Sequence, residues 1–306
     1  LKILVTGGAG FIGSHLVDRY VDNGHEVIVL DDLSTGNKDY RNRNAEYVLL
    51  SLSDPRLEAI LCEIRPDLIN HHAAQANVRL SVKQPYMDIE TNVTNTVRLL
   101  RAATSAKVKK IIFASSGGAI YGDKPRKAIS ESYSCKPISP YGINKLAAEQ
   151  YVRMYSDICG YQWIILRYSN VYGPRQNPLG ESGIVSIIMD QLRRGERPVI
   201  FGDGEQVRDY IHVDDIVEAN MLFLQPDRIA NDIFNVGTQC GTSLNDLLQI
   251  MMEAAHSSIP PEYVSAKDGD LRWNLLCNKK LKKLGWSPKI TLDMGIKKLF
   301  RNEQTT

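Results

Sequence analysis

Short apolar runs and longer segments of helical spacing alternate through the first half of the chain. The runs Lys2–Thr6, Glu26–Leu30, Glu46–Leu50, Asp67–Asn70, Lys109–Ala114 and Gln162–Arg167 predict strands. The segments 11–23, 54–65, 85–104 and 140–159 between them predict helices. Strands separated by helices imply parallel βαβ units. Runs continuous in Val, Ile and Leu imply a sheet covered on both faces. The expected class is α/β, a Rossmann-type doubly wound parallel sheet.

After Arg167 the rhythm changes. Tyr172–Gly183 is rich in Gly, Pro and Asn and reads as loop. Beyond it the pattern predicts helices near 183–194, 213–225, 243–256, 278–284 and 291–301, with strands at Pro198–Phe201 and 232–236. This describes a smaller mixed α/β C-terminal lobe. The expected division is 1–167 for a dinucleotide-binding domain and 168–306 for the lobe, with 207–237 returning to the first domain. The lysines at 279, 280, 282 and 283 read as a solvated helix face.

Composition narrows the classes. A chain of 306 residues, 43% of them hydrophobic, can bury a large core. Its net charge, 37 − 35 = +2, supplies no basic surface for nucleic acid. No apolar run approaches the roughly 18 residues that a membrane span needs, and Leu1–Val5 is too short for a secretory leader. Five cysteines (62, 135, 159, 240, 277) form no CxxC pair and read as reduced thiols. A cytoplasmic protein with neither nucleic-acid nor membrane partners is expected.

Gly7-Gly8-Ala9-Gly10-Phe11-Ile12-Gly13 follows the first strand and opens the first helix. Glycines let backbone approach a pyrophosphate, and the helix N-terminus supplies amide donors and a favourable dipole. Such a pattern alone is weak; its context strengthens it. The second strand ends in Leu30-Asp31-Asp32, and Asp31 lies 31 − 13 = 18 residues beyond the last glycine. A carboxylate there accepts from ribose hydroxyls and repels a 2′-phosphate, favouring NAD over NADP.

Tyr141 and Lys145 form a YxxxK pair, and so do Tyr263 and Lys267. Position separates the two. Tyr141 follows Ser139-Pro140 at a helix start, so residues four apart share a face. Tyr263 follows two prolines in an extended segment, where four residues span roughly 13 Å. A phenol titrates near pH 10, so acting as a base near pH 7 requires about 4 kcal/mol of phenolate stabilisation. An adjacent ammonium and a cationic nicotinamide can supply it. A hydroxyl donor is expected at the end of Lys109–Ala114, where Ser115 and Ser116 both stand, Ser116 25 residues before Tyr141. Adjacent histidines, His71 and His72, point opposite ways on a strand, so no shared metal is expected.

TGGAGFIGSHLV (6–17), HHAAQ (71–75), SSGGAIYGD (115–123), SPYGINK (139–145), LRYSNVYGP (166–174) and VRDYIHVDD (207–215) together resemble the extended short-chain dehydrogenase/reductases. Within them the chain is similar to the NAD-dependent epimerase/dehydratase family of UDP-glucose 4-epimerases. The resemblance implies Tyr141 as base, Lys145 on the nicotinamide ribose and Ser116 on the sugar hydroxyl. It implies NAD contacts at Gly7, Gly10, Phe11, Ile12, Gly13, Asp31, Asp32, Ser51, Leu52, Ala73, Asn92 and Tyr168. For a UDP-sugar it implies Asn170 and Arg208 at the diphosphate, Phe201 beside the uracil, Asp270 at the uridine ribose and Lys267 near the diphosphate. A homodimer through the helices near 85–104 and 140–159 is also implied. The chain departs from the pattern at Ser51 (commonly Asp), Asn95 (commonly Gly) and Lys267 (commonly Arg), and Asn274 lies near the position that gates the sugar's C2 group. An ion pair with Asp209 is the competing role for Arg208.

The expected activity is interconversion of UDP-glucose and UDP-galactose through a 4-keto sugar. The alternatives are a UDP-N-acetylglucosamine or UDP-glucuronate 4-epimerase, a nucleotide-sugar 4,6-dehydratase or decarboxylase, and a non-catalytic NAD-binding regulator. Dehydratases carry an acid after the strand-end hydroxyl; residues 116–122 here contain none.

Overall fold

The computed structural model describes residues 1–123, 126–178, 183–225, 230–266 and 271–302. The first half runs β1 (Lys2–Thr6), α1 (Phe11–Asp22), β2 (Glu26–Asp31), β3 (Glu46–Leu49), α2 (Leu57–Ile64), β4 (Leu68–His71), α3 (Val78–Lys83), α4 (Pro85–Ile89), α5 (Asn95–Ser105), β5 (Lys110–Ser116), α6 (Pro140–Cys159) and β6 (Gln162–Tyr168). The second half runs β7 (Asn170–Tyr172), α7 (Ile184–Arg193), β8 (Val199–Phe201), β9 (Val207–His212), α8 (Val213–Met221), β10 (Asp232–Val236), β11 (Gly241–Ser243), α9 (Leu244–Ala254), β12 (Glu262–Val264), α10 (Lys279–Lys282) and α11 (Leu292–Asn302).

Seven parallel strands form the main sheet in the order β3-β2-β1-β4-β5-β6-β10. Alternate residues of each strand serve opposite cores. Ile3 and Val5 pack with Leu16, Val17, Ile216 and Phe223 on one side. Leu4 packs with Leu61, Leu99, Ala148 and Val152 on the other. Double burial explains why these strands are apolar at nearly every position.

The strand order reverses between β1 and β4, which opens a crevice at their carboxyl ends. Both loops bordering it carry the motifs singled out above. β10 closes the sheet beside β6, and α8 lies against α1, so these two elements of the second half pack with the main sheet. β9 instead pairs with β7 and β11 in a small mixed sheet. A separate core of Val185, Ile188, Ile200, Tyr210, Leu247, Met251 and Ile296 fills the lobe.

Two local expectations change. The segment 85–104 is not one helix: a π-helical turn at Glu90–Thr94 separates α4 from α5. Such turns place an extra residue in the helix and are frequent at functional sites. The lysine run is not wholly solvated either. Lys280 is half-buried, donates to Asp232 Oδ1 (2.5 Å) and Ile233 O (2.8 Å), and lies over the Phe234 ring, tying α10 to β10.

Candidate active site

The glycine loop shows what each glycine does. Gly7 has φ +70°, and a Cβ there would meet Ala73 N at 2.6 Å, so β1 and β4 can close only over hydrogen. A Cβ on Gly13 would come 2.2 Å from Gly7 O, so α1 sits directly on the loop. Gly10 is the N-cap of α1 and offers no side-chain cap. A Cβ on it would meet only Gly7 O (3.2 Å) within 4 Å, leaving the first-turn amides facing an open cradle. Asp31, at the end of β2, accepts from Ala9 N–H (2.9 Å) and Leu33 N–H (2.8 Å). Burial raises its carboxyl pKa, and the two amides offset part of that shift. Asp32 is exposed and accepts from Ser34 N–H (2.9 Å). Leu52 is buried beyond β3, while Ser51 shares a hydrogen bond with Ser53 (3.0 Å). An anion cradle followed by an acid at the neighbouring strand end fits a dinucleotide with a free ribose.

Ser139 caps α6 by accepting from Gly142 N–H (3.2 Å), and Pro140 supplies a preset first turn. A Cβ on Gly142 would lie 2.6 Å from Ala119 O, so this turn packs against the loop leaving β5. Tyr141 and Lys145 are both buried, one turn apart. Lys145 Nζ donates to Ala114 O (3.0 Å) and lies 5.0 Å from the Phe113 ring centre. The α6 start and the β5 end therefore meet at the crevice.

The two serines separate. Ser115 Oγ donates to Glu149 Oε1 (2.5 Å), which also accepts from Arg167 Nε (2.9 Å). Arg167 Nη2 reaches the other carboxylate oxygen (2.6 Å) and Nη1 donates to Tyr121 Oη (2.9 Å). Ser115 thus faces a buried ionic network, whereas the half-buried Ser116 ends the strand on the crevice side. His71 and His72 also diverge. His71 bonds Thr6 Oγ1 (2.7 Å) and Thr96 Oγ1 (3.1 Å), while His72 Nε2 bonds Tyr168 Oη (3.1 Å). Burial, reinforced by the charge of Lys145, pulls the His72 pKa down to about 3 and His71 well below its usual value. Both rings are neutral.

Asn92 and Tyr168 both make hydrogen bonds within the protein. Asn92 donates to Gln75 O (2.9 Å) and Asp88 Oδ1 (3.0 Å) and accepts from Gln75 N–H (3.1 Å). Tyr168 Oη accepts from Asn220 Nδ2 (2.9 Å), and burial raises its pKa. Asp88, Gln75, Asn144 and Glu149 escaped the sequence reading. The available signal was Asn144 lying inside the YxxxK motif and Asp88 lying one helical turn before Asn92.

On the lobe side, Asn170 leads β7, and a Cβ on Gly118 would sit 3.3 Å from its Oδ1. Asn274 is buried and donates to Gly117 O (3.2 Å). Phe201 ends β8 beneath the Arg79 guanidinium, 5.7 Å from its ring centre. Arg208 is half-buried on β9 and donates to Val207 O (2.9 Å). Asp209, its neighbour, is fully buried and accepts from Thr238 N–H (2.8 Å), Thr238 Oγ1 (2.6 Å), Gln239 N–H and Leu276 N–H (both 3.2 Å). Lys267 and Asp270 lie outside the described residues. Among the described residues no group of three or more His, Cys, Asp or Glu is placed to hold a metal ion. No helix there is long and apolar enough to cross a membrane, and the cysteines form no disulfide.

A seven-stranded Rossmann-type sheet, a glycine cradle at its switch point and a buried Tyr–Lys pair on α6 define an extended short-chain dehydrogenase/reductase. The NAD-dependent epimerase/dehydratase family model matches residues 3–237, and the chain belongs to that family. The UDP-glucose 4-epimerase of Mycolicibacterium smegmatis is 41% identical, with 99% of each chain covered. The crystal structure of UDP-glucose 4-epimerase with UDP-glucose from Thermotoga maritima is 44% identical, with a TM-score of 0.97 over 100% of this chain and 99% of that one. The Thermus thermophilus UDP-glucose 4-epimerase complex with NAD is 39% identical, with a TM-score of 0.93 over 98% and 99%.

Proposed function

We propose that this protein interconverts UDP-glucose and UDP-galactose with NAD as its resident cofactor. The observation that carries this reading is the pairing of Tyr141 with Lys145 beside a strand end without an acid. Residues 116–122 contain no carboxylate. A side chain at position 117 would meet Leu276 at 2.5 Å, and one at 118 would meet Asn170 at 3.3 Å. That stretch has little room for the second acid that a 4,6-dehydratase requires.

Gly7, Gly10, Phe11, Ile12 and Gly13 would hold the pyrophosphate, and Asp31 and Asp32 the adenine ribose. Ser51 and Leu52 would border the adenine, while Ala73, Asn92 and Tyr168 would wall the nicotinamide end. NAD held there would supply the hydride chemistry at C4 of the sugar, removal from one face and return to the other. Tyr141 takes the proton from O4 and later restores it. Lys145 stabilises the phenolate and meets the nicotinamide ribose. Ser116 hydrogen-bonds O4, keeping it in line with the phenol. Asn170, Phe201, Arg208, Lys267 and Asp270 would bind UDP. Arg208 suits a diphosphate because guanidinium is permanently charged and forked. Holding the nucleotide lets the oxidised sugar turn without leaving the site.

The test supplies purified protein with UDP-glucose and follows the C4 configuration by proton NMR. UDP-galactose should accumulate, and Tyr141→Phe should lower kcat by about 100-fold or more. Near-normal turnover in that variant would remove Tyr141 from the role of base. Bound NAD without turnover of any UDP-sugar would leave a regulator instead.

The same reading includes a homodimer and a cytoplasmic location. On α6, Ile143, Tyr151, Met154 and Ile158 form an exposed stripe, and Tyr86 and Ile89 extend it on α4. Tyr86 is 86% and Ile158 72% exposed, which is costly for apolar groups unless a second copy covers them.

A further inference from the structure

Asp88, on α4, is fully buried. Three amides meet its two oxygens: Gln75 Nε2 (2.5 Å) and Asn92 Nδ2 (3.0 Å) donate to Oδ1, and Asn144 Nδ2 (2.6 Å) donates to Oδ2. An ionised carboxylate only accepts, so each amide must turn its NH2 inward. This polarity propagates along two arms that both end on the first turns of α6.

The shorter arm is direct, because Asn144 lies between Tyr141 and Lys145. The longer one starts at Gln75. With its NH2 on Asp88, its Oε1 accepts from Asn77 N–H. Asn77 Oδ1 in turn caps α3 by accepting from Leu80 N–H (3.0 Å). One turn along α3, Ser81 Oγ accepts from Tyr141 N–H (3.1 Å). The acid also braces the π-helical turn through Asn92, whose Nδ2 and Oδ1 bracket the Gln75 backbone. A buried carboxylate carries a desolvation cost that an apolar residue would avoid. Here it orders three amides around the reacting groups.

We propose that Asp88 is a positioning residue for the reaction. Through Asn144 on one side and Gln75, Asn77 and Ser81 on the other, it holds the Tyr141 phenol and the Lys145 ammonium in register. The inference rests on the reading of Tyr141 as base. Within the turn Glu90 pairs with Arg98 Nη1 (2.5 Å) at the surface, and the neighbouring His71 and His72 are both neutral.

Asp88→Asn keeps the volume but sets a donor against a donor, either at Asn144 or at Gln75 and Asn92. In the full chain it should lower kcat about tenfold or more, with KM for UDP-glucose within about twofold. Tyrosinate absorbance is titrated without substrate as the difference between each protein and its Tyr141→Phe counterpart. As the Lys145 contact loosens, the Tyr141 midpoint should move up by about half a unit or more. Adding Asn144→Asp returns an acceptor opposite the amide introduced at position 88, and should recover most of both losses. An unchanged or lowered midpoint, or kcat within about twofold of the parent, overturns the proposal. So does a loss of kcat that only follows the folded fraction measured by circular dichroism. Failure of the parent to epimerise UDP-glucose would sink the functional reading alone, since the titration needs no turnover.

Discussion

Replacing Glu149 by Leu would leave a buried cation without its anion. Glu149 is 0% and Arg167 4% exposed, and the pair is bidentate with the Ser115 hydroxyl as a third donor. Burial alone would lower the Arg167 pKa; Glu149 outweighs it, and the net shift is upward. In Glu149→Leu, Arg167 keeps its bond to Tyr121 Oη (2.9 Å) but loses both bonds to the carboxylate. Breaking one partner of a buried pair costs about 3–5 kcal/mol, and the orphaned Ser115 hydroxyl adds about 1 kcal/mol. At about 2 °C per kcal/mol for a chain of this size, Tm falls by roughly 8–12 °C. Glu149→Leu with Arg167→Met removes both charges and should recover to within about 2 kcal/mol of the parent. Urea unfolding at one protein concentration, followed by circular dichroism and tryptophan fluorescence, measures both, with the m-value as a check on the unfolded state. A single variant losing less than about 1 kcal/mol, or a double variant losing as much as the single, would refute the ionic account.

Two further outcomes follow from other parts of the molecule. His71 and His72 are held neutral by burial, with the charge of Lys145 adding to it, and His72 titrates near 3. Unfolded, both take up protons near pH 6.5, so below that pH the unfolded chain binds more protons and stability falls. At pH 5 the loss from His72 is about 2 kcal/mol, and His71 adds to it in the same direction. The carboxyls of Asp31, Asp209 and Asp215, raised by burial, act in the opposite sense as they protonate, while His212, lowered to about 4, adds to the loss; the midpoint is followed from pH 7 to 5. A urea midpoint that is flat over this interval would contradict the assignment. Ile158→Asp combined with Tyr86→Asp should halve the mass seen by light scattering, from about two chains to one; an unchanged mass would place the subunit contact elsewhere.

Much of the architecture was legible because burial on both faces leaves a local signature. Ile3, Leu4 and Val5 are all apolar since the two cores need them alternately, and the same logic revealed β2, β4, β5 and β6. The YxxxK pair was legible because i and i+4 meet on any helix. The short strands β7, β9, β11 and β12 went unread, as their partners lie far along the chain and their residues alternate little. The π-helical turn was invisible for a related reason: Asn92 within it meets Gln75 and Asp88, contacts that no local propensity records.

By itself, the sequence determined the βαβ rhythm, the glycine cradle with its acid, and the tyrosine–lysine pair, all of which depend on neighbours within one or two turns. Only the tertiary structure decided which way each side chain faces. It turned Ser115 toward Glu149 and left Ser116 at the crevice, engaged Asn92 and Tyr168 within the protein, and drew Lys280 onto β10. It also gathered Asp88, Gln75 and Asn144, separated by up to 56 residues in their hydrogen-bonded pairs, around one buried charge. Hydrogen-bond geometry and desolvation act over a few ångströms of space, and no local pattern in the chain encodes which distant groups will share them.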